Sequence, residues 1–351
     1  MSTTTHLYLG TYTRTTSRGI HRVAFDARTG ALGQPDLVAE AKNPTWLAWS
    51  PDRRTLFATD AGLEGVRAYA VDPADGSLHL RNQRPSGAGH PTHLAVDASG
   101  RMLLSANYGS GTVTAWPIQP DGSLGERSGF AQHTGSSVNP ERQKEPHAHG
   151  VTLSPNQRFA FVPDLGIDQV KVYAIDPATA TFRPHTTPSA AVPPGSGPRH
   201  LAFSPDGRHA YVINEMGGTV SVFAYEAAAG TLAPVETVST LPADFSGANK
   251  TAEIVVHPNG RYVYGSNRGH DSIVVYARDE RTGRLAHVET VPSGGRSPRH
   301  FDLSPDGAWL VTLHEDTHDG YVFRVDPATG RLTRTEHTLS VPQPVCVLFG
   351  P

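Results

Sequence analysis

The sequence has little of what marks several large classes of protein. It holds one cysteine, Cys346, in 351 residues. A lone thiol allows neither a disulfide within the chain nor a paired-cysteine zinc site. It suits a reducing compartment, so a cytoplasmic location is expected. No apolar run approaches the length that crosses a bilayer, and Met1 to Thr5 lack the basic-then-apolar order of a secretory signal. Lys and Arg form no cluster, and the formal net charge is only −3. Nucleic acid and anionic membrane surfaces are therefore not expected partners. Helix-period patterns are missing as well. What is abundant is punctuation, with 35 Gly and 29 Pro, as an all-β chain of short strands and many turns requires.

The punctuation recurs. Pro198-Arg199-His200-Leu201 is followed by Ser204-Pro205-Asp206-Gly207 and an apolar run to Asn214. The phrase returns at Pro298-Arg299-His300-Phe301 with Ser304-Pro305-Asp306-Gly307. Eroded copies stand at Pro44 to Asp52, Pro91 to Gly100, His149 to Asn156 and Glu253 to Gly260. A period of roughly 47 to 57 residues lies in or just above the range of propeller blades. Repeats too small to bury their own face stack into one body, so one domain over 1–351 is expected.

Each unit reads as four strands. In one copy these are Leu201–Phe203, Ala210–Ile213, Thr219–Phe223 and Thr231–Thr237, separated by turns whose Gly and Asp suit positive φ. The turn before the outer strand appears seven times, from Asp26–Gly30 to Asp326–Gly330, but the Pro-x-His type of unit only six. Pro344–Phe349 is an orphan first strand at the C-terminus, and His6–Thr11, Ile20–Phe25 and Leu32–Ala39 are three orphans at the N-terminus. Joined, they make a seventh blade. The expected fold is a seven-bladed β-propeller of four-stranded antiparallel blades, its ring closed by both chain ends.

The first strand of a propeller blade lines the central channel. Its start and the end of the antiparallel second strand lie at the same end. One rim should therefore gather the residue after each Pro and the residue after each strand-closing Asn. The Asn and Asp that recur there (Asp60, Asn107, Asp164, Asn214, Asn267) read as turn caps. His93, His200 and His300 share one repeat position, where hydrogen bonding between blades is the plain reading and ligand binding the other. The residues that break the repeat are His149, Arg199, Glu215, Glu253, Arg268 and Arg299. A ring needs no such set of unlike charges at one rim for stability, so this set is the candidate site. His314 and Glu315 read as part of a solvated loop, and no metal-ligand spacing occurs there or elsewhere. No metal and no cofactor are expected.

These phrases resemble the lactonase family of seven-bladed propellers, which includes bacterial 6-phosphogluconolactonase and fungal carboxy-cis,cis-muconate lactonizing enzyme. The resemblance covers nearly the whole chain. It is carried by Leu9-Gly10-Thr11-Tyr12-Thr13, Pro146-His147-Ala148-His149, Val162-Pro163-Asp164-Leu165-Gly166, Ala252-Glu253-Ile254 and Ser266-Asn267-Arg268-Gly269-His270-Asp271-Ser272-Ile273, besides the Pro-Arg-His copies. One departure is Met216-Gly217-Gly218, where relatives carry small polar residues. The resemblance implies a metal-free site of a His, two Arg and a Glu, here His149, Arg199, Glu215 and Arg268. It implies a small anionic sugar lactone as substrate, with 6-phosphogluconolactone and the pentose phosphate pathway foremost.

Lactone hydrolysis needs a base for the attacking water, a stabiliser for the oxyanion and an acid for the leaving alkoxide. Glu215 or His149 suits the base, and the other returns the proton. Arg199 and Arg268 suit the oxyanion or a substrate anion. His93, His147, His200, Lys250, Glu253, Arg299 and His300 are expected to bind substrate, with Arg299 and Lys250 suited to a phosphate. No Gly-x-Ser-x-Gly nucleophile turn occurs. The same groups suit a lactonizing cycloisomerase. A non-catalytic scaffold is the third reading, disfavoured because Tyr108 is the only aromatic at the rim positions. Gly125–Glu145 reads as a long loop folding toward the mouth and setting substrate size. A monomer is expected.

Overall fold

The alternating segments form antiparallel ladders, and no helix occurs among the described residues of this computed structural model, which are 4–187 and 189–350. Among these residues there are seven sheets, six of them of four sequential strands, one of the six with an added short strand, Ala190–Ala191, beside Gln169–Asp176. The terminal sheet runs Pro344–Phe349, Thr4–Thr11, Gly19–Asp26, Asp36–Glu40. The two chain ends thus share a blade, with Val347 opposite Leu9 and Phe349 opposite Leu7. The outer strand there begins later than the sequence suggested. Leu32 makes only an isolated bridge to Phe25, and the strand starts at Asp36, after Pro35, which has no N–H to donate.

Contacts are densest within two units, one of Met1–Glu40, Ala202–Ala224 and Pro234–Pro351, the other of Ala41–Leu201 and Tyr225–Ala233. In the first, Leu9, Val23, Val311 and Val347 share one buried cluster, and Tyr264, Ile273, Phe301 and Phe323 another. In the second, Leu104, Val113, Val151 and Val162 pack together, as do Phe57, Leu94, Leu103 and Trp116. Each cluster joins alternate residues of neighbouring sheets, as period-two strands require. Burying one such side chain is worth about 1.5–3 kcal/mol.

The Gly that recurs in the turn before the outer strand has a packing cause. Gly30, Gly283 and Gly330 all have positive φ, and a Cβ on them would lie 2.8, 2.3 and 2.4 Å from the rings of Trp309, His209 and Tyr262. The turn is therefore a floor for a ring from the adjacent sheet. Hydrogen bonds lock the same seam: Tyr211 Oη donates to the Gly283 carbonyl at 3.0 Å, Tyr264 Oη to that of Gly330 at 2.9 Å, and Trp309 Nε1 to that of Ala27 at 2.8 Å.

The opposite ends of the strands are shaped by bulges. Pro91 stands opposite Asn107 but His93 opposite Ala106, which leaves Thr92 as an extra residue. Pro298 stands opposite His314 and His300 opposite Leu313, which leaves Arg299 extra. Ala148 bridges to Asp164 while Thr152 pairs with Phe161, so four steps on one strand meet three on the other around His149. A bulge turns the extra side chain out of the regular alternation and is common beside active sites. The residue after the Pro is thus re-aimed by backbone geometry, which no propensity in the sequence announces.

The turns carry a pH signature. Burial opposes the Asp206 charge, but hydrogen bonds from Arg278, Ser204 and Arg208 outweigh it and hold the carboxyl well below the usual range. Turn N–H groups hold Asp26, Asp279 and Asp326 below that range too, led by those of Arg28, Thr282 and Ala328. A carboxyl whose folded pKa is depressed takes up fewer protons than in the unfolded chain. Its contribution is complete above the unfolded value, about 3.9, and is lost as pH falls through the folded one. The urea midpoint is expected to fall steadily as pH drops from 5 toward 2. Asp206→Asn takes an acceptor from the buried Arg278 and is expected to cost about 1–3 kcal/mol at pH 7, with the difference shrinking in acid. Equal losses at pH 7 and pH 2.5, read by urea titration, would contradict this.

Candidate active site

The strand ends are closed by fully buried polar side chains, as the recurring Asn and Asp suggested. Asn214 Nδ2 donates to Thr219 Oγ1 and Ser221 Oγ, both at 2.9 Å. Asn267 accepts from Thr240 Oγ1 at 2.7 Å and donates to the Thr240 carbonyl at 3.0 Å. Asp164 accepts the His147 N–H at 2.7 Å, the Gly166 N–H at 2.9 Å and His133 Nδ1 at 2.6 Å. These bonds fix where the chain turns, and so which side chain comes next at the blade end: Tyr108, Leu165, Glu215 or Arg268.

His314 holds this capping position in the last full repeat. It is not in a solvated loop. It ends the strand Trp309–His314 and is wholly buried, because its Nε2 accepts the Gly295 N–H at 3.2 Å while Nδ1 faces Asp319 at 2.9 Å. Glu315, the next residue, is also drawn out of solvent, since Arg299 and Arg14 lie 3.5 and 3.6 Å from its two oxygens.

The second unit gathers His93, His147, His149, Arg199 and His200. Their rings form a continuous array with two aromatics. Trp46 stacks on His93 at 3.8 Å, His93 meets His200 at 4.9 Å, His200 meets His149 at 5.3 Å, His149 meets Tyr108 at 5.2 Å, and Tyr108 stacks on His147 at 4.5 Å. The Arg199 guanidinium joins it, with Nη1 at 3.1 and 3.2 Å from the two ring nitrogens of His200. His149, Arg199 and His200 are each less than 5% exposed. His93 Nδ1 accepts the Val151 N–H at 3.4 Å and so serves the blade seam, the plainer of its two expected roles. His147 Nδ1 lies 3.0 Å from the Tyr108 carbonyl.

The repeat position of His93, His200 and His300 is glycine at 150, and the structure says why. A Cβ there would stand 2.9 Å from the Arg199 carbonyl and 3.3 Å from the His200 ring. Glycine leaves room for the Arg199 backbone and the His200 ring.

The first unit gathers Glu215, Glu253, Arg268, Arg299 and His300. Arg268 Nη2 donates to Glu215 Oε2 and to the Thr251 carbonyl, both at 2.8 Å. Burial pulls the Arg268 guanidinium below its ordinary pKa, Glu215 opposes the shift, and Arg299 adds to it. Val347 donates its N–H to His300 Nδ1 at 3.2 Å, so the neutral ring carries its proton on Nε2, which faces Glu253 at 3.4 Å. Lys250 stands opposite Arg268 in the ladder with its side chain in solvent. Two residues not foreseen in the sequence complete this group. The Tyr12 ring has Arg14 at 3.8 Å and Arg299 at 5.3 Å from its centroid. Tyr12 lies in the Leu9–Thr13 phrase; Arg14, one residue beyond, gave no signal. Among the described residues no group of three His, Cys, Asp or Glu is placed to hold a metal ion.

Gly125–Glu145 is not all loop. Gly129–Gln132 is the outer strand of its sheet, because its backbone pairs with Thr112–Ala115. The remainder is pinned to the turn at 164–168. His133 bonds Asp164, the fully buried Gln143 donates to the Leu165 carbonyl at 2.9 Å, and Ser137 bonds Asp168. It carries Arg142 to within 3.1 Å of the Tyr108 hydroxyl.

Seven four-stranded blades with buried imidazole, guanidinium and carboxylate groups at their strand ends define a β-propeller enzyme. The family profile described as "Lactonase, 7-bladed beta-propeller" matches residues 6–349. The chain is 38% identical over 344 residues to the 6-phosphogluconolactonase of Bacillus subtilis, with 97% of each chain covered. It is also 35% identical to the periplasmic gluconolactonase PpgL of Pseudomonas aeruginosa, whose solved structure superposes with a TM-score of 0.93 over 99% of both chains. The chain belongs to this lactonase family of seven-bladed propellers and is a lactonase.

Gly150→Ala is expected to push the Arg199 backbone and the His200 ring apart. Overpacking of this kind costs about 1–3 kcal/mol, seen as a lowered melting temperature, and turnover should fall with it. An unchanged melting temperature and turnover would contradict the proposed need for space.

Proposed function

We propose that this lactonase hydrolyses 6-phosphogluconolactone to 6-phosphogluconate by metal-free acid/base catalysis, acting as a monomer in the cytoplasm. The observation that carries the reading is the burial of His149, Arg199, Glu215 and Arg268 at strand ends, in a chain whose full-length relative is named for that reaction.

Roles follow from chemistry and partners. Glu215 is committed to Arg268, so its charge is offset where it stands. Histidine is the side chain that ordinarily titrates nearest neutrality. His149 is therefore the better base. It takes a proton from water as the oxygen attacks the lactone carbonyl. Arg199, fixed against His200, stabilises the oxyanion with a charged donor that reorganises little. When the ring C–O bond breaks, the protonated His149 returns its proton to the leaving alkoxide. Arg268, oriented by Glu215, binds a substrate hydroxyl.

Three variants test this with fresh 6-phosphogluconolactone, base uptake being followed at neutral pH. His149→Asn is expected to lower kcat by about 10²–10⁴-fold, and Arg199→Ala by about 10²–10³-fold. Glu215→Gln should raise KM more than it lowers kcat. For the wild type, kcat/KM should rise with pH as the base loses its proton and then level off. A His149→Asn enzyme of full activity would remove the base assignment. A kcat collapse confined to Glu215→Gln would transfer it to the carboxylate.

A further inference from the structure

Resting on that reading, we infer that Arg142 and Tyr108 form the subsite for the substrate's phosphate, and that Arg142 sets the preference for a phosphorylated over an unphosphorylated lactone. The relatives make this a real choice, since one is named a 6-phosphogluconolactonase and another a gluconolactonase.

The site is built before any ligand arrives. Asn139 Oδ1 accepts the N–H groups of Glu141 and Arg142, both at 3.0 Å. Gln143 fastens the same turn, accepting the Asn139 N–H at 3.0 Å and donating to the Leu165 carbonyl. Asp168, which bonds Ser137 in the same stretch, is buried with φ at 54° and ties in one further segment, accepting the N–H of Gly195 at 2.6 Å and of Gly197 at 2.7 Å. On this fixed backbone the half-buried Arg142 side chain reaches across to Tyr108. The phenol orients one end of the guanidinium, and stacking on His147 orients the phenol. A planar cation held this way needs little ordering when it binds an anion, and a guanidinium matches phosphate oxygens in pairs.

Position supports the assignment. The Tyr108 ring lies edge-on to His149 at 5.2 Å, and its hydroxyl points to Arg142. Tyr108 thus contacts both the proposed base, through its ring, and the cation, through its hydroxyl. Arg142 lies in the segment that the sequence marked as setting substrate size, and no spacing or repeat position singled it out.

The test compares Arg142→Met and Arg142→Lys with the wild type on two substrates, 6-phosphogluconolactone and glucono-1,5-lactone. Binding of the product 6-phosphogluconate is measured by calorimetry, and melting temperatures confirm folding. Arg142→Met is expected to lower kcat/KM for the phosphorylated lactone by about tenfold or more, mainly through KM, as loss of a charged hydrogen-bond donor implies. Activity on the unphosphorylated lactone should stay within about twofold, and Arg142→Lys should recover part of the loss. Equal losses on both substrates would mean that Arg142 only supports Tyr108, and no loss on either would mean that it is idle; both overturn the inference. A wild type inactive on both lactones would defeat the lactone reading, and the product titration would still decide the subsite. Binding weakened at least tenfold by Arg142→Met would sustain it, and binding absent or unaltered would reject it.

Discussion

The chemistry at the strand ends depends on a small set of buried polar caps. Asp60, Asn107, Asp164, Asn214 and Asn267 have no measurable exposure, and each bonds the turn that follows it. A buried amide or carboxylate left without partners costs about 1–3 kcal/mol or more. The turn can therefore close in one way only, the way that satisfies the cap. The next side chain inherits its place from that requirement. In two repeats it is one of the pair Glu215 and Arg268, and in a third it is Tyr108.

Bulges do the same work on the facing strand. Regular alternation would place the residue after Pro on a face decided by its neighbours. The extra residue at Thr92 and Arg299, and the extra step around His149, release that position from the ladder. The fold thus holds its variable residues on two fixed mounts. The shared residues satisfy the backbone, and the unlike ones are free to carry charge. Their burial is expensive unless each finds a partner. The partners are Glu215 with Arg268, Glu253 with His300 and Arg199 with His200. Electrostatic satisfaction and preorganisation are here one arrangement.

Much of this was legible in the sequence because repetition is itself an alignment. The turns, the four-strand unit and the shared terminal blade follow from recurring Pro, Asp and Gly, whose φ preferences are local. The caps were legible for the same reason. Two things were not. Ring stacking is a property of neighbouring blades, so Trp46, Tyr12 and the need for glycine at 150 had no local sign. Arg142 and His314 depend on long-range hydrogen bonds. The polarity of His314-Glu315-Asp316 suggests solvent, but a backbone N–H from Gly295 and the Asp319 carboxylate make burial tolerable there. The strand at Gly129–Gln132 was hidden in a Gly- and Ser-rich stretch because pairing, not propensity, makes it a strand.

We propose that fixed side chains alone, without a bound metal, accelerate the opening of a sugar lactone. The most direct measurement is the initial rate of hydrolysis of freshly made 6-phosphogluconolactone by the wild-type protein, before and after exhaustive treatment with a chelator. A rate well above spontaneous hydrolysis, equal in the two samples, is the expected result. No acceleration, or an acceleration that disappears with chelation and returns with added metal, would contradict it.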